Sequence, residues 1–261
     1  MLGAIIGNIV GSVYEWDNIK TIEFTLFKPD CFITDDSVMT LAVAQGLMKG
    51  GGKEDYVTAM KKYGRIYPEA GYGGHFYDWI FSAGSEPYNS WGNGSAMRVS
   101  PVAWVFDTEE VEEAAAVSAG VTHNHPEGIS GAMATAACIF WARQGMSKSE
   151  IREACASRYG YDLDQTLDEI RPDYEFDVSC QGTVPQAIIA FLESEDFEDA
   201  IRNAFLWAAT AIHWTPSQGA LRRHITAYPG TFGRRPCLIR MKPFWESGKR
   251  GKITFKSNQA N

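Results

Sequence analysis

The chain has 261 residues, 45% of them hydrophobic, and a formal net charge of −8. It is long enough to bury a substantial core, and it holds no apolar run of the roughly 18 residues that a membrane span needs. The N-terminal MLGAIIGNIVGSVYE lacks the basic flank of a secretory signal, and the five cysteines show no C-x-x-C spacing; a soluble, cytoplasmic protein with reduced thiols and no membrane partner is expected.

Up to Ala204, apolar residues recur at three- and four-residue spacing and alternating runs are scarce, so the class is all-α, with one helical domain over residues 1–204. Gly3, Gly7 and Gly11 share one face of the first segment, where each costs about 1 kcal/mol relative to Ala, which points to a close backbone contact. TDDSVMTLAVAQGLM opens a second helix that lacks a polar face and must be buried. It stops at Lys49-Gly50-Gly51-Gly52, a cation followed by glycines. A third helix fits EDYVTAMKKYGRIY and is ended by Pro68. A Gly-rich loop with aromatic residues runs through 69–95. Further helices fit AMRVSPVAWVF (96–106), TEEVEEAAAVSAGVTH (108–123), PEGISGAMATAACIFWARQG (126–145) and SKSEIREACASRYG (147–160). Residues 162–194 read as an acidic loop and a helix, and DFEDAIRNA opens another with acids in its first turn.

Charge divides the chain near Ala204. Residues 1–204 carry 14 Lys+Arg against 31 Asp+Glu, whereas residues 205–261 carry 10 Lys+Arg and a single acid, Glu246. A basic tail suits a nucleic-acid arm, but this one is also rich in Trp, Pro and Gly and holds no recognisable motif.

Thr34, Asp35, Asp36 and Ser37 set several oxygen-bearing side chains at the mouth of the second helix. Capping accounts for one of them, Thr34 or Asp35. Two carboxylates at a buried helix mouth repel unless a cation neutralises them, and oxygen-only donors favour Mg²⁺ or Mn²⁺ over zinc. The set is incomplete alone, because a hard divalent ion takes about six oxygens. In NGSAMRVSP, Asn93 and Gly94 lead into a helix with small first residues, whose N–H groups could cradle a phosphate; a plain turn and cap is the alternative. THNHPEG offers His123 and His125 ahead of a helix start at Pro126, and either could be a satisfied surface residue. Glu15, in GSVYEW, is either a catalytic carboxylate or a solvated one.

Taken in order, GAIIGNIVGSVYEW, FITDDSVMTLA, GNGSAMRVSP, VTHNHPEG and GTVPQAIIAFLESEDFEDAIRNA resemble the ADP-ribosylglycohydrolases, the family that includes the dinitrogenase-reductase-activating glycohydrolases. The resemblance covers residues 1 to about 204. It implies a compact all-α fold with a cleft for two Mg²⁺ ions, in which the bond between ADP-ribose and an arginine, serine or other acceptor, or a related glycosidic bond, is hydrolysed. It also implies that Thr34, Asp35 and Asp36 are metal ligands, that Glu15 sits beside the metals, and that Gly94, Ser95 and Met97 line the ADP-ribose site with His123 nearby. Glu15 and Asp35 are then the candidate catalytic residues. Asn8 stands where the family usually has Asp, which keeps an oxygen but loses the charge.

The larger departure follows Ala204. Where the family continues with something like ISLGGDSDT, whose acids complete the metal site, this chain reads FLWAATAIHWT. The genetic code offers an account. If each new codon takes the third base of one codon and the first two of the next, Trp207-Ala208 forces Gly, His213-Trp214 forces Leu and Trp214-Thr215 forces Asp. The free third bases can be chosen so that this frame spells ISLGGDSDTLDAITGG and onward. Residues 205–261 therefore read as the product of a one-base loss near the Ala204 codon, a frameshift that should leave the tail poorly packed.

The expected protein is a metal-dependent ADP-ribosylglycohydrolase acting on ADP-ribosylated protein or a small ADP-ribosyl compound, impaired by loss of the C-terminal ligands and binding at most one Mg²⁺. A non-catalytic ADP-ribose-binding module is the alternative. A basic-tailed nucleic-acid binder is a remoter third.

Overall fold

The computed structural model describes residues 1–14, 19, 21–106, 108, 110–174 and 177–205, the last as backbone only. Among them the regular structure is helical, and the sole β feature is an isolated antiparallel bridge between Gly92 and Ser179. No helix among the described residues is long and apolar enough to cross a membrane. The tail beyond Phe205, with its expected frameshift and loose packing, lies outside the described residues, as does Cys237.

The helices are α1 (Leu2–Gly11), α2 (Asp35–Lys49), α3 (Lys53–Ile66), α4 (Gly74–Phe81), α5 (Gly94–Met97), α6 (Val102–Val105), α7 (Glu110–Gly120), α8 (Pro126–Gln144), α9 (Lys148–Tyr159), α10 (Leu167–Ile170), α11 (Cys180–Glu193) and α12 (Phe197–Phe205). The central element is α8, against which α5, α6, α7, α9 and α11 all pack. Its sequence explains that position. Gly128, Gly131, Ala132, Ala134, Ala136 and Ala137 are buried along it, so neighbouring backbones can approach closely. A Cβ on Gly131 would lie 2.5 Å from Cys180 Sγ, at the meeting of α8 and α11. Pro126 occupies the first turn, where its missing N–H is no loss, and Gly145 ends the helix at φ +90°.

Local signals also set α9. Ser147 Oγ accepts from the Glu150 N–H while the Glu150 carboxylate accepts from the Ser147 N–H, closing a capping box. A second layer pairs α2 with α3 and α3 with α4. As its sequence requires, α2 is buried along its length, from Asp36 to Gly46. The first helix packs on α2 with Gly7 and Gly11 buried.

Two expectations need correction. The Gly-rich stretch at 69–95 is not all loop, because α4 forms within it and buries Phe76, Trp79 and Ile80, an i, i+3, i+4 set. The helix expected over 96–106 is instead two short ones, interrupted at Arg98–Pro101: Pro101 disfavours the helical region for Ser100 and cannot donate an N–H. Cys31, Cys138, Cys155 and Cys180 are free and buried.

Candidate functional site

The mouth of α2 is unusual for a helix start. Thr34 takes the N-cap position with extended backbone (φ −96°, ψ 174°), yet its side chain caps nothing. Its Oγ1 is buried without a hydrogen-bond partner, as are Ser37 Oγ and Thr40 Oγ1 further along and both side-chain polar atoms of Asn8 on α1. Asp36 is buried and Asp35 half-exposed. The Asp35 N–H donates to the Ala70 carbonyl at 2.8 Å, which pins the helix start to the turn before α4. Capping thus leaves Thr34 unexplained. An unmade hydroxyl bond beside two carboxylates has the chemistry of an oxygen-donor cation site.

The residues present fit a hard divalent cation in donor type: two carboxylates and a hydroxyl, with no nitrogen or sulfur. They do not complete its shell. Among the described residues no group of three His, Cys, Asp or Glu side chains comes together. Glu15, the other expected catalytic carboxylate, lies outside the described residues.

The second group of expected residues forms a compact cluster. Residues 91–93 run antiparallel to the start of α11: the Cys180 N–H donates to Trp91 O at 2.9 Å and the Asn93 N–H to Val178 O at 2.8 Å. The Cys180 thiol donates to Gly92 O at 3.2 Å, and burial pushes that thiol up to about 11. Ser95, fully buried, donates its hydroxyl to Gly128 O at 2.6 Å. That side chain ties α5 to α8, so a ligand at this loop meets the Ser95 backbone rather than its hydroxyl. Gly94 faces the imidazole of His123, since a Cβ there would lie 3.1 Å from Nε2 and 3.7 Å from Met97 Sδ. Gly94, Met97 and His123 therefore share one wall.

The two histidines separate. His125 is the N-cap of α8, its Nδ1 accepting from the Glu127 N–H at 3.2 Å, with the exposed Trp91 ring against it. His123 is 5% exposed, and its Nδ1 lies 2.7 Å from Thr122 Oγ1. Burial, and then the charge of Arg98, hold its basicity well below the ordinary histidine value, so the ring is neutral.

Arg98 is the residue that the sequence did not single out. It is 1% exposed, its Nη2 donates to Thr122 Oγ1 at 2.8 Å, its Nε has no partner, and its guanidinium carbon sits 5.4 Å from the Phe76 ring centroid. No carboxylate among the described residues pairs with it. An arginine in a sequence reads as surface; only the break after α5 turns this one inward. Through Phe76 and the neighbouring Tyr72, whose hydroxyl is pushed up by burial and by the charge of Asp35, the loop connects to the mouth of α2. Directly, α2 packs against α5.

An all-α body built on an Ala- and Gly-rich central helix, with a Thr-Asp-Asp helix mouth beside an Asn-Gly-Ser loop, defines a fold class that comparison with known proteins identifies. A sequence profile described as ADP-ribosylglycohydrolase matches residues 1–208, and the chain belongs to that family. It is similar to ADP-ribosylhydrolase ARH3 of Mus musculus and of Homo sapiens, each 28% identical over 186 residues, covering 58% of this chain and 50% of the relative. The Xenopus tropicalis ARH3 is 26% identical over 199 residues, covering 66% of this chain and 54% of its own length. The chain thus spans about half the length of the curated relatives it matches. Among solved structures, an "ADP-ribosylglycohydrolase-related protein complex" superposes with a TM-score of 0.63 at 20% identity, covering 84% of this chain and 87% of that one, a likeness of fold.

Proposed function

We propose that this chain carries the ADP-ribose-binding loop and one side of the divalent-cation site of an ADP-ribosyl hydrolase acting on ADP-ribosylated protein or a small ADP-ribosyl compound. The observation that carries the reading is the unpartnered, buried Thr34 hydroxyl beside Asp35 and Asp36, on a helix packed against the Asn93–Met97 loop. Thr34, Asp35 and Asp36 would hold Mg²⁺, with Mn²⁺ an alternative, and a bound ion would supply positive charge to polarise the ribose hydroxyls. Asp35, the more exposed carboxylate, takes the proton of a water approaching the anomeric carbon. His123, neutral, presents a ring nitrogen at Gly94 without adding charge.

Turnover by this chain is expected to be strongly reduced or absent, because three donors hold one ion weakly at best. The test is hydrolysis of an ADP-ribosylated peptide, with Mg²⁺ or with chelator, alongside calorimetric titration of Mg²⁺ and of ADP-ribose. Two tight Mg²⁺ sites with full turnover would overturn the reading. One observation favours binding without cleavage as a second reading: Gly94 meets the His123 ring, and Ser95 ties the same loop to α8. ADP-ribose affinity without turnover would select it.

For the tail, the frameshift is part of the same proposal. The match to the family profile stops at residue 208, close to the break in charge composition at 204, which supports it. The nucleotide sequence around codon 204 decides it: a gene with no usable second frame there rules the frameshift out. Reading restored to that frame should bring turnover.

A further inference from the structure

We propose that Arg98 and Thr122 are positioning residues that lock His123 as the Nε2–H tautomer, fixing a neutral N–H donor on the wall formed by Gly92 and Gly94. The inference rests on the reading of this loop as an ADP-ribose site for its purpose, though not for its chemistry.

Three buried groups stand in a line. Arg98 Nη2 lies 2.8 Å from Thr122 Oγ1, and Thr122 Oγ1 lies 2.7 Å from His123 Nδ1. A guanidinium has only donors, so the Thr122 oxygen accepts from Arg98. The hydroxyl has one proton of its own, Thr122 is fully buried, and Nδ1 at 2.7 Å is an acceptor within reach of that proton. Were Nδ1 protonated, the hydroxyl oxygen would receive two donors while its own proton lost that acceptor in a buried site. Nδ1 is therefore the acceptor, and the ring proton sits on Nε2. That nitrogen is directed at the glycine loop, 3.1 Å from where a Cβ on Gly94 would stand and 3.6 Å from the same point on Gly92.

The other groups around the ring agree. Tyr88 packs on it with centroids 5.9 Å apart, and burial pushes that phenol up to about 12, so it stays neutral. Among the described residues, the formal charge acting on the imidazole is that of Arg98, which opposes a second ring proton. His75 stands beyond Tyr88, with their rings 6.0 Å apart, and Cys180 stands beyond Ser95. An arginine buried with no carboxylate partner among the described residues is a poor choice for stability alone; as the fixed donor at the head of this chain it has a purpose.

The experiment is nitrogen-resolved NMR of the histidine rings in the full chain, wild type, Thr122→Val and Thr122→Ser, with ADP-ribose titrated into each by calorimetry. The wild type should show His123 as a single Nε2–H tautomer that stays neutral through the ordinary histidine range. Thr122→Val should release it into a mixture and weaken ADP-ribose about three- to tenfold, the range expected for one hydrogen bond. Thr122→Ser, which keeps the hydroxyl, should restore both. An Nδ1–H tautomer, ordinary titration of His123, or an unchanged ring in folded Thr122→Val would overturn the relay. Unchanged ADP-ribose affinity in Thr122→Val would overturn its positioning role. A locked ring in a wild type that binds no ADP-ribose upholds the relay and overturns the reading of the loop instead.

Discussion

Replacing Arg98 by Met should leave the protein close to its original stability, although the residue is among the largest fully buried side chains. Burial pulls the guanidinium from 12.5 down to about 10, which corresponds to about 3 kcal/mol by which the fold disfavours the charged form. Because the folded value lies below the unfolded one, this penalty is present in full below pH 10 and fades as pH rises toward 12.5. Met removes it, together with the unpartnered Nε. Against that stand the charged hydrogen bond to Thr122, about 1.5–3 kcal/mol, and the contact with Phe76, about 1–2 kcal/mol, part of which the thioether keeps. The terms nearly cancel, and Arg98→Met should shift unfolding free energy by no more than about 2 kcal/mol at pH 7. An arginine held by a buried carboxylate would instead cost about 3–5 kcal/mol on removal. Urea unfolding followed by circular dichroism measures the difference. A loss above about 3 kcal/mol would show that Arg98 is a structural anchor and that its charge is compensated in the fold.

Three further outcomes follow from contacts already described. Gly94→Ala sets a methyl 3.1 Å from His123 Nε2; ADP-ribose affinity should fall severalfold with little change in melting temperature, and equal affinity would place the ligand elsewhere. Thr34→Val deletes a hydroxyl that caps nothing, so stability should hold or rise by up to about 1 kcal/mol while Mg²⁺ affinity drops; a loss of 1–2 kcal/mol, as for a working N-cap, would contradict this. Gly131→Ala pushes a methyl to 2.5 Å from Cys180 Sγ and should cost about 1–3 kcal/mol, which adding Cys180→Ala should relieve only in part, because the Cβ it keeps stands 2.8 Å away; if the pair simply add, the two helices do not meet there.

Much of the fold is legible in the sequence because its stop and start signals are local. Pro126 and Gly145 bound α8, and Ser147 with Glu150 starts α9. The lack of a polar face in α2 foretells its burial. The short elements escape for a physical reason: eight residues of α4 between glycines give barely two turns of periodicity, and its aromatic content suits a loop equally well. At the site, Gly94, Met97 and His123 come together in the structure, but the inward turn of the Ser95 hydroxyl depends on Gly128, 33 residues away. Arg98 and Thr122 carry no sequence mark at all. Their meaning arises only when α5 and the end of α7 meet, since burial is a property of the assembled layers. Asn8, noted for the charge it lacks, is buried with neither side-chain polar atom bonded.

The bridge between Gly92 and Ser179 has a dynamic consequence. Backbone protons of Asn93 and Cys180 are shared between two segments nearly 90 residues apart in sequence, so neither proton can meet solvent without parting both strips at once. Deuterium uptake at the two positions should therefore keep the same pace, and whatever loosens the front of α11 loosens the Asn93–Met97 loop with it.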